Sequence, residues 1–354
     1  MIGLHRKYLL FRSKVAILVE DMQSNIKVPF RIRIKCISKG FLSRSYFLYD
    51  LKNNNYKDYI SDYERKKTRF INGDNAVILN NKIIFDNMTN GYIKTPAIYS
   101  VILDGKIYPY TNKTNESLIC SSEELIAYIK NKGKVVLKPY INSDGGSGIY
   151  ICKYLNGNIY FNDTIFKEEN IKSLIDSLNK YIVTEYIEQH EYSAKIFRES
   201  VNTIRIITME DPYTQEIFIP IAVHRFGTSE AGNVDNWNKG GLSAEVDIDT
   251  GILGKATRKP MKNEMEWYSN HPDTGEQIEG VKIPKWELIV KKILSLAKGM
   301  PFLKYVGWDV VVTKDGNILI IEANNCSGVN VLQVHRPLLT DSRVEKFYKY
   351  YKII

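Results

Sequence analysis

The stretch from Val306 to Asn324 reads Val-Gly-Trp-Asp-Val-Val-Val-Thr-Lys-Asp-Gly-Asn-Ile-Leu-Ile-Ile-Glu-Ala-Asn. Its β-branched runs predict strands at Tyr305 to Thr313 and Ile318 to Glu322. Lys314, Asp315, Gly316 and Asn317 form the hairpin turn between them, with Asp-Gly as the turn signal. Each strand carries one acid in apolar company, Asp309 and Glu322. Side chains alternate faces along a strand, so both carboxylates are expected at one end of one sheet. Asn324, two residues beyond Glu322, points the same way. Two carboxylates and an amide oxygen are hard oxygen ligands, suited to a magnesium ion bridging phosphates. The other reading is a pair of edge-of-sheet acids matched to lysines, and the hairpin alone leaves both open.

Outward from the hairpin, strands are expected at Thr203 to Met209 and Ile217 to His224. A helix is expected from Trp286 to Lys298, with Ile289, Val290, Ile293 and Ala297 inward. A closing helix turns Val344, Phe347, Tyr348 and Tyr351 inward. Arg205, in Asn202-Thr203-Ile204-Arg205-Ile206, suits a phosphate or a developing acyl phosphate, or else a salt bridge at a sheet edge.

Upstream, Ser121 and Glu124 have capping-box spacing for a helix that Gly133 ends. Lys134 to Tyr140 reads as a buried strand, Asn142 to Gly148 as a glycine-rich turn and Ile149 to Tyr154 as a second strand. Glu168 to Lys180 follows as a helix with Ile171, Leu174, Ile175 and Leu178 on one face, and Tyr181 to Ile187 as a further strand. This is a small α+β unit around a mobile loop. Residues 1–91 mix short helical patterns with polar turns and are the least readable part. The expected boundaries are 1–91, 92–187 and 188–354.

Lys138 ends a strand just before Ser143-Asp144-Gly145-Gly146-Ser147-Gly148. Glycines let backbone N–H groups approach phosphate oxygens, and a lysine neutralises their charge. The loop matches neither the Walker pattern, since no lysine follows its last glycine, nor a Rossmann fingerprint, since a strand follows it. A plain hairpin turn is the competing reading. Glu185, Tyr186 and Ile187 end a strand whose backbone suits an adenine edge, with Glu188 and His190 placed for ribose; an ordinary strand end is equally open. Asn236, Gly240 and Gly241 lie in a polar loop read either as closing over an acceptor or as a simple connection, and Lys239 beside them has no assigned role. Trp237 and Trp308 suit a sugar face or packing, with packing preferred for Trp308. Cys326 reads as a packing residue, since no histidine partner is evident.

With 354 residues the chain is long enough for two or three packed units. An apolar share of 44% and a charged share of 25% are ordinary for a soluble globular protein. No apolar run approaches a membrane span, and Arg12, Ser13 and Lys14 interrupt any signal-peptide core. Cys36, Cys120, Cys152 and Cys326 are far apart, which argues against a disulfide framework or zinc site and suits a reducing cytoplasm. The net charge of +9 fits nucleic acid, anionic substrates or an anionic membrane surface, though a solvated basic surface is the preferred reading. Its 24 tyrosines are dispersed and form no nucleic-acid module.

In this order, the four elements resemble the ATP-grasp superfamily from about Asn72 onward. The resemblance implies an α+β ATP-grasp fold, with a small lid domain carrying the glycine loop and a C-terminal sheet domain carrying the metal site. It makes Lys82 and Lys138 the two phosphate lysines, Ser143, Gly145, Gly146, Ser147 and Gly148 the lid, Glu185 to Ile187 the adenine hinge, and Asp309, Glu322 and Asn324 the metal triad. Ser200 to Arg205, Val234 to Gly241, His271 to Gly275 and Val306 to Asp309 are closer still to the sugar-transfer-associated branch, found with polysaccharide-biosynthesis genes. ATP and magnesium, with manganese as the alternative ion, are the implied cofactors. The implied reaction is carboxylate–amine ligation through an acyl phosphate, acting on a small sugar acid or amino acid in surface or capsular polysaccharide synthesis. Arg205 and Lys138 are then catalytic, and Asn202, Asn236, Gly240 and Gly241 face the substrate. A hydroxyl kinase and an inactive nucleotide-binding partner of a glycosyltransferase complex are the alternatives. No nucleic-acid partner is expected, and a peripheral membrane contact is left open.

Overall fold

A computed structural model describes residues 2–24, 26–110, 119–141, 148–232, 234–260 and 263–354. They divide into two compact units, one of Met1–Ala76, Gln189–Ile318 and Glu322–Ile354, the other of Val77–Glu188 and Leu319–Ile321. Helices accompany antiparallel sheets in both, so the class is α+β.

The smaller unit is built on seven strands: β1 (Ile98–Leu103), β2 (Lys106–Pro109), β3 (Lys134–Pro139), β4 (Tyr150–Leu155), β5 (Asn158–Phe161), β6 (Thr164–Phe166) and β7 (Tyr181–Glu185). Their order in the sheet is β2-β1-β7-β3-β4-β5-β6. Ser121 caps the helix Ser122–Lys132 by accepting from Glu124 N–H at 3.1 Å, and Gly133 ends it at φ 87°. The Glu124 carboxylate reaches Cys120 N–H rather than that of Ser121, so the capping box is offset by one residue. Ile171 and Ile175 of the helix Glu168–Ser177 and Leu125 and Ile129 of Ser122–Lys132 pack with Val135, Leu137 and Val183. That second helix stops at Ser177, earlier than its apolar spacing suggests, because Lys180 takes a left-handed φ of 61° to enter β7.

The larger unit holds an eight-stranded sheet: β8 (Ile204–Glu210), β9 (Ile217–Phe218), β10 (Ala222–Phe226), β11 (Leu242–Val246), β12 (Leu253–Arg258), β13 (Trp267–Tyr268), β14 (Tyr305–Val312) and β15 (Ile318–Asn324). The order is β13-β12-β11-β10-β8-β14-β15, with β9 also on β8. The expected strand Ile217 to His224 is two strands, since Pro220 has no N–H for a ladder. β15 runs on to Asn324, which puts that amide on the strand itself. The helix Trp286–Gly299 buries Ile289, Ile293 and Ala297, but Val290 is only half-buried. Ile207, Met209, Val223 and Tyr305 share one sheet face with Val344, Phe347 and Tyr348 of the helix Ser342–Tyr350, while Tyr351 lies just past its end. Residues 1–91, the least readable in the sequence, are mostly helical, beginning with the 21-residue helix Ile2–Met22.

Two histidines, buried His224 and half-buried His335, make this unit acid-sensitive. His224 bonds Tyr192 Oη at 2.8 Å and stacks on Phe226 with ring centres 4.2 Å apart. His335 bonds Ser243 Oγ at 3.0 Å. Burial, and for His335 also the neighbouring Arg336, pushes each imidazole down to about 3. The folded state therefore favours the neutral rings. Their contribution is complete above the ordinary value of about 6.5 and lost as pH falls from there towards 3. Urea midpoints are expected to decline over that window, and His335→Gln to flatten the decline.

Candidate functional site

Register places the charged cluster. Asp309 on β14 lies opposite Arg205 on β8, and Val223 on β10 lies opposite Arg205 on its other side. Arg225, two residues after Val223, returns to the same face. Asp309, Arg205 and Arg225 thus continue the face that carries Tyr305, Ile207 and Val223, at the point where apolar packing gives way to charge.

Arg205 grips Asp309 with two nitrogens, Nη2 to Oδ2 at 2.9 Å and Nε to Oδ1 at 2.5 Å. Its third nitrogen, Nη1, donates to Ser327 Oγ at 2.8 Å. Arg225 Nη2 approaches the same Asp309 Oδ2 at 3.1 Å and Asp235 Oδ2 at 3.4 Å, and its Nε donates to Thr203 Oγ1 at 3.1 Å. Thr203 N–H in turn donates to Asp235 at 2.9 Å. Asn324 Nδ2 sits 3.4 Å from both Gly307 O and Asp309 Oδ2. Gly307 makes this packing feasible: a Cβ there would lie 2.6 Å from Ser327 Oγ and 3.3 Å from Arg205 Cδ.

Burial pushes the Asp309 carboxyl up, but Arg205, Arg225 and hydrogen bonds from Arg205 and Glu322 outweigh it and hold it at about 2. For Asp235 burial wins over Arg225 and Thr203, and its carboxyl is raised. The Arg205 guanidinium, opposed by burial, is held charged chiefly by Asp309. Two guanidiniums thus face three carboxyl groups, Asp309, Asp235 and Glu322, and with the proton shared by Asp309 and Glu322 displaced the carboxylates would carry one formal negative charge more than the guanidiniums.

Among the described residues no cluster of three or more His, Cys, Asp or Glu side chains is arranged to hold a metal. The donor chemistry of Asp309, Glu322 and Asn324 nonetheless fits a hard divalent cation. The Glu322 and Asp309 carboxyl groups are hydrogen-bonded to each other and so share one proton, which a cation between them would displace. The Asn324 amide nitrogen faces Asp309, which directs its oxygen the other way. Of the two acids, Asp309 pairs with arginines, Arg205 and Arg225.

In the smaller unit, Lys82 opens the helix Lys82–Thr89, capped by Asn81 Oδ1 at 3.0 and 3.2 Å from Ile83 and Ile84 N–H. Lys82 N–H donates to Tyr140 O at 2.8 Å, which brings it beside the end of β3 and Lys138. Lys138 is buried on the β3 face opposite Val135 and Leu137. Ser143, Gly145, Gly146 and Ser147 lie outside the described residues; Gly148 leads directly into β4. Glu185 N–H is taken by Ala97 O at 2.9 Å, so that strand-end donor is already used. Lys134 lies over the Tyr186 ring at 4.7 Å, and Glu188 ends this unit.

Other expected contacts become scaffold. His190 Nδ1 caps the helix Glu191–Ile196, accepting from Tyr192 N–H at 3.2 Å. Asn202, expected to face the substrate, clamps its own loop. It is buried, its Nδ2 donates to Phe197 O at 2.7 Å, and its Oδ1 accepts from Ser200 Oγ at 2.8 Å and Gly227 N–H at 3.1 Å. Asn236 Oδ1 accepts from Asn238 N–H at 2.8 Å, and Gly240 turns left-handed at φ 100°. A Cβ on Gly241 would lie 3.0 Å from Phe226 O and from Asn236 O, so this loop is a close-packed turn. Trp237 is in the core, and Trp308 is buried with its Nε1 on Thr208 Oγ1 at 2.9 Å. Cys326 Sγ packs against Arg65 O at 3.4 Å.

Arg225 and Asp235 are the site residues the sequence reading missed. An arginine inside the apolar run Ala222–Phe226 is the same signal that singled out Arg205.

Solved structures with a similar chain path include an ADP complex of N5-carboxyaminoimidazole ribonucleotide synthetase, 10% identical at a TM-score of 0.41, covering 72% of this chain and 46% of that one. An ATP-grasp ligase complexed with a minimal precursor is 13% identical at 0.39, covering 78% and 63%. The D-alanine-D-alanine ligase from Coxiella burnetii is 9% identical at 0.38, covering 78% and 58%. This chain therefore spans less than two-thirds of the length of each. No curated protein matches the sequence. The sugar-transfer associated ATP-grasp family matches residues 61–346, a span that includes Lys82, Lys138 and the whole Arg205–Asp309–Arg225 cluster, and the chain belongs to that family.

Proposed function

We propose that the protein is an ATP-dependent carboxylate–amine ligase acting on a sugar acid or an amino acid in surface-polysaccharide synthesis. The observation that carries this reading is the Arg205–Asp309–Arg225 cluster with Glu322 and Asn324 beside it. Guanidiniums beside acids on a rigid sheet suit a reaction in which negative charge is first built up and then moved.

The residues divide by role. Lys82, Lys138 and the loop Ser143 to Gly148 hold phosphates, the first two as point charges. Tyr186 and Ile187 present backbone to adenine, and Glu188 takes the ribose. Asp309, Glu322 and Asn324 hold magnesium, which when bound offsets charge on the phosphates. The substrate carboxylate oxygen attacks the γ-phosphorus, ADP leaves, and an acyl phosphate results. Arg205 and Arg225 stabilise that anion. The amine then attacks the carbonyl carbon, inorganic phosphate leaves, and the amine loses a proton as the amide forms. The four free thiols, Cys36, Cys120, Cys152 and Cys326, are in keeping with a cytoplasmic enzyme.

ADP release should require acid and amine together, apart from slow hydrolytic leakage. With hydroxylamine replacing the amine, an acyl phosphate yields a hydroxamate. A phosphorylated hydroxyl product with no hydroxamate would replace this reading with a kinase.

A further inference from the structure

The helix Ile2–Met22 is attached to its unit by one face only. Ser13, Ile17 and Asp21 are buried, and Asp21 accepts from Ser43 Oγ at 2.8 Å and pairs with Arg33 at 3.3 Å. On the other side Leu4, Tyr8, Phe11, Val15, Leu18 and Met22 are all exposed, Phe11 at 66% and Leu4 and Met22 at 77%. They follow one another at alternating steps of four and three, which aligns them as one continuous stripe. Exposed apolar residues are ordinary singly; a contiguous row of six marks a surface that meets something.

The borders of the stripe identify the occupant. Lys7 and Lys14 run along one edge and Arg12 along the other, all exposed. The helix's two acids are turned away and paired, Asp21 as above and Glu20 with Arg44 at 2.8 Å. A second copy of this helix is disfavoured. In a parallel pair Lys7 would face Arg12, and in an antiparallel pair like would face like. The same combination recurs on the helix Phe30–Ser38, where Phe30 and Ile34 are exposed beside exposed Arg31 and Lys35. Among the described residues no helix is long and apolar enough to cross a membrane.

We infer that this face lies on an anionic lipid bilayer, with the stripe in the headgroup boundary and the lysines and arginines on the lipid phosphates. A basic helix with an apolar stripe adopts that position because burying the stripe and neutralising the phosphates act together. The inference is independent of the ATP reading, since none of these residues belongs to the charged cluster.

Co-sedimentation of the full chain with vesicles tests it. Phosphatidylcholine vesicles containing phosphatidylglycerol should bind the protein at least about tenfold better than phosphatidylcholine alone, and salt should weaken the difference. Phe11→Ser with Leu18→Ser should reduce binding to the anionic vesicles about tenfold or more. Lys7→Gln with Arg12→Gln should remove most of the preference for anionic lipid, and this pair carries the test should circular dichroism show the serine pair unfolded. ADP release in vesicle-free buffer should be unchanged in both, which separates this inference from the proposed reaction. Equal binding to both vesicle types, no binding, or a dimer that the serine substitutions dissociate would overturn it.

Discussion

Glu322→Gln is expected to lower ATP turnover about a thousandfold with an unchanged urea midpoint, the loss of several kcal/mol of charge stabilisation. Asp309→Asn should lose turnover equally but also cost about 3 kcal/mol of stability. The difference follows from burial. Asp309 is 1% exposed and is the shared counter-ion of Arg205 and Arg225. Removing its charge leaves two guanidiniums without their common partner in a poorly solvated place. Glu322 is half-buried near the end of β15 and, on giving up the proton it shares with Asp309, would supply the extra negative charge that a cation meets. Glu322→Gln keeps the arginines balanced by Asp309 and Asp235, so stability is expected to change little while the attraction for a divalent cation is lost. Manganese binding, followed by the relaxation of water protons, should disappear in Glu322→Gln. Retained metal binding with full turnover would remove both acids from the site.

The hairpin and the strand after residue 203 were legible because their chemistry is local. Asp-Gly sets the turn, period-two alternation sets the faces, and Asp309 and Arg205 stand out as charges in apolar strands. Their pairing is not local. It depends on β14 lying antiparallel to β8 in one register, which no spacing in the sequence specifies. Arg225 was passed over for that reason, although it shares the signal of Arg205. Polar residues in loops carry a structural role that the sequence does not display. Asn202 and Asn236 look like ligands in a sequence, but a buried connection must satisfy its own backbone groups, and these amides do so. The first helix was unreadable because it is apolar on two sides. Only Ile17 and its neighbours face the unit, so the residues of the exposed stripe blur the period of the buried one.

Arg225 provides a test in which two measurements move in opposite directions. Arg225→Met keeps most of the side-chain volume and removes one of the two positive charges near Asp309. With the proton shared by Asp309 and Glu322 displaced, the excess negative charge that a cation meets rises from one to two, so manganese is expected to bind about tenfold more tightly, the order that one nearby charge contributes at an effective dielectric of ~20. Turnover should nevertheless fall about a hundredfold, because a guanidinium that would stabilise the developing anion is gone. Asp235 loses the charge that chiefly lowers its carboxyl, so its affinity for a proton rises further, and the Thr203 hydroxyl loses its guanidinium contact while Thr203 keeps its contacts to Asp235. Arg205→Met cannot give this separation. Arg205 is buried and bonded to both Asp309 and Ser327, and its removal would cost stability as well as chemistry. Tighter metal binding with slower turnover would therefore assign Arg225 to the anion that forms during reaction. Weaker metal binding together with a lowered urea midpoint would instead make it a structural counter-ion for Asp235 and Asp309.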